Sequence, residues 1–149
     1  FKELLMFKRS FIAVAVLASS VSAHAAPEWS LVAGNIGDQT FLDTASFQKD
    51  GDLVQVNLLR SYEETITLGN DPVTGDEMYA HRSVKVTYQV DCAKGMIAMS
   101  GWKMFEGTHG NGNVVWADQT WGKQRFIKTN DAETRSVVRS TCATNTAAR

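Results

Sequence analysis

Ser83-Val84-Lys85-Val86-Thr87-Tyr88-Gln89-Val90-Asp91-Cys92 alternates apolar and polar residues without a slip. Val84, Val86, Tyr88, Val90 and Cys92 share one face, and Ser83, Lys85, Thr87, Gln89 and Asp91 share the other. A period of two is that of a β-strand. Strict alternation predicts one buried face and one wet face, the pattern of an antiparallel sheet.

The neighbouring segments extend this reading in both directions. Ala93-Lys94-Gly95 is a turn, and Met96 to Phe105 is a second strand. Gly101 inside it marks a bulge or a close backbone approach. Gly107 to Gly112 is a loop, and Asn113 to Trp121 a last strand. Upstream, Leu53 to Tyr62 alternates with Val54, Val56, Leu58 and Tyr62 on one face, a pattern that Arg60 breaks. Lys49-Asp50-Gly51-Asp52 before it has the Asp-Gly of a tight hairpin. Trp29 to Ala33 and Thr40 to Asp43 are short apolar runs separated by a turn, Gly34 to Asp38. Glu63 to Glu77 reads as a long polar connection.

Past Asn130 the period changes. Asn130-Asp131-Ala132-Glu133 resembles a capping box, with Asn at the cap and Glu three residues on. Thr134, Val137, Val138, Thr141 and Cys142 then fall on one helical face, with Arg135 and Arg139 to its side. The predicted architecture is α+β: a single antiparallel β-sheet of about six strands with one C-terminal helix packed on one face.

Cys92 and Cys142 are the only cysteines. In an exported chain an even count reads as a structural disulfide. Cys92 sits on the inner face of the sheet and Cys142 on the inner face of the helix, so a bridge would staple one to the other. Redox pairs favour C-x-x-C spacing and zinc sites need further ligands nearby; neither pattern is present.

Export follows from residues 1–25. Met6 reads as the start, Lys8 and Arg9 as the positive region, and Phe11 to Ala18 as the apolar core of a signal peptide. Ala23-His24-Ala25 places cleavage after Ala25, leaving 26–149 as one domain. The apolar run is far short of the ~20 residues that span a bilayer. The cleavage region has no cysteine, so no lipid anchor is expected there. The chain of 149 residues carries 44% hydrophobic and 21% charged residues and a net charge of -1. That excludes a disordered tail and gives no footprint for bulk nucleic-acid binding. Charge is uneven: residues 123–149 are net +4.

With the segments in this order, the chain resembles the surface-adhesin protein E family of bacterial envelope proteins. The matching pieces run from Glu28-Trp29-Ser30-Leu31-Val32 through Phe41-Leu42-Asp43 and Ser46 to Val54-Gln55-Val56 and Tyr62. They continue with Ser83 to Asp91-Cys92, then Trp121, and end at Cys142. The resemblance implies a small antiparallel sheet with one helix and a disulfide. It also implies a non-enzymatic role, with host matrix or plasma proteins, or another envelope protein, as partners. A soluble periplasmic binder of a small ligand such as haem is the alternative.

Individual residues add the following expectations. Trp102, Trp116 and Trp121 are the binding candidates among the aromatics, with Arg135 and Arg139, because aromatic residues and Arg concentrate at interaction hot spots. Tyr79, His81, His109, Met99 and Met104 are the side chains with iron-ligating chemistry. His81 and His109 otherwise read as ordinary surface histidines, in no nucleophile–base motif. Asp71, Asp76 and Glu77 miss the EF-hand spacing and read as solvent-facing loop acids. No catalytic residue, metal or cofactor is predicted.

Overall fold

The computed structural model describes residues 26–34, 36–118 and 125–147, the side chains of the last helical turn excepted. The expected signal peptide and Trp121 lie outside the described residues. The elements are β1 (Trp29–Gly34), β2 (Asp38–Asp50), β3 (Leu53–Ile66), β4 (Gly69–Asn70), β5 (Glu77–Met78), β6 (His81–Asp91), β7 (Met96–Phe105), β8 (Val114–Asp118), β9 (Ile127–Lys128) and α1 (Ala132–Ala147). The main sheet runs β1-β2-β3-β6-β7-β8, with β9 also pairing to β7, and every pair is antiparallel. Among the described residues, one main antiparallel sheet, one C-terminal α-helix and the Cys92–Cys142 disulfide are as the sequence predicts, with β4 and β5 forming a separate two-stranded ribbon.

The alternating faces of β3 and β6 register onto each other. Val54 opposes Val90, Val56 opposes Tyr88 and Leu58 opposes Val86. Leu42 from β2 and Ile97 and Met104 from β7 extend this face, and all but Tyr88 are at most 4% exposed. Helix α1 covers it, packing most on β1 and reaching β2, β3, β6 and β7. Val137 is its fully buried contact residue, and burying one such side chain contributes roughly 1.5–3 kcal/mol. An isolated helix of this length is marginal in water, so this face and the disulfide hold it.

Several expectations need correction. The capping residue is Asp131, not Asn130. Asp131 Oδ1 accepts the Thr134 N–H at 2.8 Å, and its carbonyl accepts the Arg135 N–H at 3.2 Å. The Thr134 hydroxyl, then its N–H, holds the Asp131 carboxyl below the ordinary value, and a carboxylate suits the positive end of a helix. Glu133 does not fold back to complete a capping box. It reaches the sheet, where its Oε1 accepts from Arg60 Nε at 2.8 Å and lies 2.6 Å from Nη2. This explains the break at Arg60: the apolar face takes a charge there because the helix supplies the counter-charge.

The second face of the sheet is less wet than alternation implies. Leu59, Ser61, Ser83 and Phe105 are buried on it, because the Gly107–Gly112 loop folds back across that end. The Ser83 hydroxyl donates to the Gly107 carbonyl and accepts the Gly110 N–H. The Ser61 hydroxyl accepts the His109 N–H at 3.1 Å. Gly110 has φ of +74°, and a Cβ there would meet Lys85 Cε at 2.7 Å. The Lys85 side chain can swing away, so the positive φ is what favours glycine here.

The strand boundaries also differ. β2 runs to Asp50, past a wide irregularity between Asp43 and Gln48. Ser46 bridges this gap, donating to the Asp43 carbonyl at 2.7 Å and accepting the Asn57 N–H at 2.9 Å. The supposed connection Glu63 to Glu77 holds the end of β3 and the β4–β5 ribbon. Asp71 closes the ribbon's turn by accepting the N–H groups of Val73 and Thr74. The irregularity expected near Gly101 is present: Thr87 faces Gly101 and Tyr88 faces Met99, which leaves Ser100 as the extra residue.

Candidate functional site

Two of the aromatic candidates come together. On β7, Trp102 opposes Val86, and on β8, Trp116 opposes Met104. Both therefore project from the helix-bearing face, but beside the helix, which packs most closely on the opposite edge. Met99 lies on the same face and is 48% exposed. Trp116 is 41% exposed and meets the Tyr79 ring edge-on, with centroids 5.0 Å apart. Such an aromatic pair adds about 0.5–1.5 kcal/mol beyond burial and stiffens the exposed indole. Trp102 is half-buried and packs against the core. The result is a shelf along the β7–β8 edge, with a rigid apolar tip.

The charged candidates do not join it through any contact among the described residues. Arg135 and Arg139 are exposed on α1, and Arg135 donates to the Asn130 carbonyl at the helix start. The cation that does enter the fold is Arg60, which sequence inspection registers only as a flaw in a strand. Burial opposes its charge, but Glu133 and the phenols of Tyr88 and Tyr62 outweigh that and leave its pKa raised. Burial in turn pushes the phenols of Tyr62 and Tyr88 upward, and Arg60 only partly offsets this. This cluster ties the helix start to the sheet.

The histidines have distinct places. His81 is 2% exposed, a correction to its reading as a surface residue. Its Nδ1 lies 2.6 Å from the Tyr79 carbonyl and its ring meets Tyr62 edge-on. Tyr79 takes a positive φ of 55° just before it, in the link that brings that carbonyl back to the ring. His109 stays exposed and lies against Phe41 at 5.6 Å. Its Nδ1 is 3.5 Å from the Ser61 oxygen, which is 4% exposed as a residue and already accepts the His109 backbone N–H. That geometry fastens a loop.

The iron-ligating side chains are scattered. Met104 is buried in the helix-side core, whereas His109 lies over the other face. Met99 is five residues from Met104 along β7, roughly 16 Å in a strand. Among the described residues no three His, Cys, Asp or Glu side chains converge in a way that could hold a metal ion. No helix among them is long and apolar enough to cross a membrane.

The fold is found in solved structures. Crystal form II of Haemophilus influenzae protein E matches with a TM-score of 0.56 at 15% identity, covering 83% of this chain and 98% of that one. Protein E from non-typeable Haemophilus influenzae matches with a TM-score of 0.57 at 15% identity, over 84% of this chain and 86% of that one. At such identity the likeness is one of fold. No curated protein shows significant sequence similarity. The sequence itself matches the description "Surface-adhesin protein E" over residues 29–143, from the first residue of β1 to beyond the second cysteine. With that match spanning the whole sheet, most of the helix and the disulfide, the chain belongs to the surface-adhesin protein E family.

Proposed function

We propose that this adhesin-like envelope protein is exported by its N-terminal signal, is not an enzyme, and holds a protein partner on the β7–β8 shelf. The observation that carries the reading is Trp116, stiffened by Tyr79 and exposed beside Trp102 on the part of the sheet that the helix leaves bare. A rigid, half-exposed Trp with apolar neighbours is the composition of an interface hot spot. Family membership supports adhesion as the class of activity. The partner is a host matrix or plasma protein, or another envelope protein, and the exposed Arg135 and Arg139 offer it a second contact on α1, apart from the shelf.

The test has two parts. The protein is passed over immobilised matrix and plasma proteins and over an envelope extract, and any partner is remeasured with Trp116→Ala. A hot-spot residue costs at least about 2 kcal/mol, or roughly thirtyfold in affinity. An unchanged affinity with an intact fold removes the shelf from the reading. Protease shaving of intact cells then separates surface display from a periplasmic location: removal by protease supports host adhesion, and protection redirects the search to envelope partners.

A further inference from the structure

At the opposite end of the sheet from the disulfide, the β1–β2 turn, the end of β3 and the Gly107–Gly112 loop enclose a groove of about 430 Å³. That volume lies in the range of small-ligand sites. Its walls include Ile36, Tyr62, Glu63, Arg82, Thr108 and His109, and none of them belongs to the aromatic shelf.

Among the described residues the groove holds a cation without a counter-ion, Arg82. Arg82 donates from Nη2 to the Glu63 carbonyl, which anchors the guanidinium. Its Nε is shut off from water and has no acceptor. Among the described residues the ion pairs are Arg60 with Glu133 and Lys94 with Asp91, so no carboxylate lies within 4.0 Å of Arg82. A half-buried charge without a counter-ion is costly, and an arriving anion relieves that cost. His109 presents its exposed imidazole to the same groove. The bond from its N–H to Ser61 holds the loop with His109 at φ +57°.

The rest of the lining limits the anion. Ile36, at the tip of the turn, is fully exposed, and it lines the groove together with Tyr62, whose ring supplies further apolar surface. The Glu63 carboxylate lines the groove beside Gly37. It repels a second negative charge but accepts an N–H. One carboxylate, an apolar side chain next to it and an amide N–H behind it together describe the C-terminal residue of a protein chain. Capture of a terminal carboxylate is a recurring mode of peptide recognition.

We propose that this groove binds the free C-terminus of a partner polypeptide ending in an aliphatic residue. The carboxylate takes donors from Arg82 and His109, the side chain lies on Ile36 and Tyr62, and the last peptide N–H donates to Glu63. The proposal is independent of the shelf and stands whether or not Trp116 binds a partner.

The test is an NMR titration of the labelled protein with the peptide acetyl-Gly-Ser-Gly-Leu, as the free acid and as the C-terminal amide. The free acid is expected to shift the Ile36 methyl and His109 ring signals, with the amide at least about tenfold weaker, the loss expected when a charged hydrogen bond is removed. Arg82→Gln is expected to weaken the acid to the level of the amide. Ile36→Ser, at a site too exposed to affect folding, is expected to weaken both forms, and Val73→Ser on the distant ribbon neither. Equal binding of acid and amide overturns the proposal, as does the absence of shifts at millimolar peptide. Acetate shifting the same signals as strongly as the peptide also overturns it, since the groove would then be a site for small anions only.

Discussion

Removing the Cys92–Cys142 bridge is the perturbation whose cost the structure allows to be worked out. The two cysteines are 50 residues apart, their Cα atoms are 5.6 Å apart, and they join the end of β6 to α1. In the chain-entropy account a closed loop of that length costs the unfolded chain about 14 cal/mol/K, or about 4 kcal/mol at 25 °C. A small domain is stable by ~5–15 kcal/mol in total. The helix has contacts besides the bridge: Val137 and Thr141 are buried, Ser136 donates to the Val32 carbonyl, and Glu133 pairs with Arg60. The double variant Cys92→Ala/Cys142→Ala is therefore expected to keep its fold and lose about 4 kcal/mol. With urea slopes of ~1–3 kcal/mol/M, the unfolding midpoint falls by roughly 1.3–4 M. The slope itself is expected to rise, because the unbridged denatured chain exposes more surface. Either single variant is expected to match the double one, since the cross-link is what each removes. A midpoint shift below about 0.5 M, with loss of the bridge verified by mass, would refute the reasoning.

Other expectations follow from single contacts. A double-mutant cycle on Arg60→Met and Glu133→Gln is expected to give a coupling of about 1–2 kcal/mol, between exposed and buried ion pairs, because both side chains are about 30% exposed; near-zero coupling would show that the pair does not anchor the helix. Thr141 is fully buried and its hydroxyl has no partner, so Thr141→Val is expected to raise stability by about 1 kcal/mol in urea unfolding, and a loss would mean that the hydroxyl is satisfied in solution. Ser83→Ala removes two of the bonds that fasten the Gly107–Gly112 loop and leaves the one from His109 to Ser61, and hydrogen exchange at the Gly110 amide is expected to quicken; unchanged exchange would count against the staple. Against pH, the Lys94 N–H lowers Asp91 and the Thr134 hydroxyl lowers Asp131 from the ordinary 3.8; depressed folded values mean that this stability is complete above that value and is lost as pH falls through the lower ones. Burial raises Tyr62 and Tyr88 above 10.0, so their contribution is complete below pH 10 and declines as pH rises through the folded values, which phenolate absorbance and urea midpoints can follow together.

The chain itself determined the main strands, though not the β4–β5 ribbon or β9. Alternation in β3 and β6, the Asp50-Gly51 hairpin, the Lys94-Gly95 turn and the period of the helix are local signals, set by backbone geometry and by which residues avoid water. The pairing of the cysteines was readable too, because two thiols on inward faces allow one bridge. What remained hidden depends on contacts between distant segments. Arg60 reads as a flaw until Glu133, 73 residues away, is brought over it. His81 reads as a surface residue until the Tyr79 carbonyl and the Tyr62 ring, 19 residues upstream, meet its imidazole. Ser61 and Ser83 look like wet-face residues until the Gly107–Gly112 loop lands on them. The site followed the same division: Trp102 and Trp116 were visible as aromatics, but only the strand register placed them together beside the helix. No periodicity could assemble the groove around Arg82, since its walls come from three separate turns and strand ends and only folding makes them neighbours.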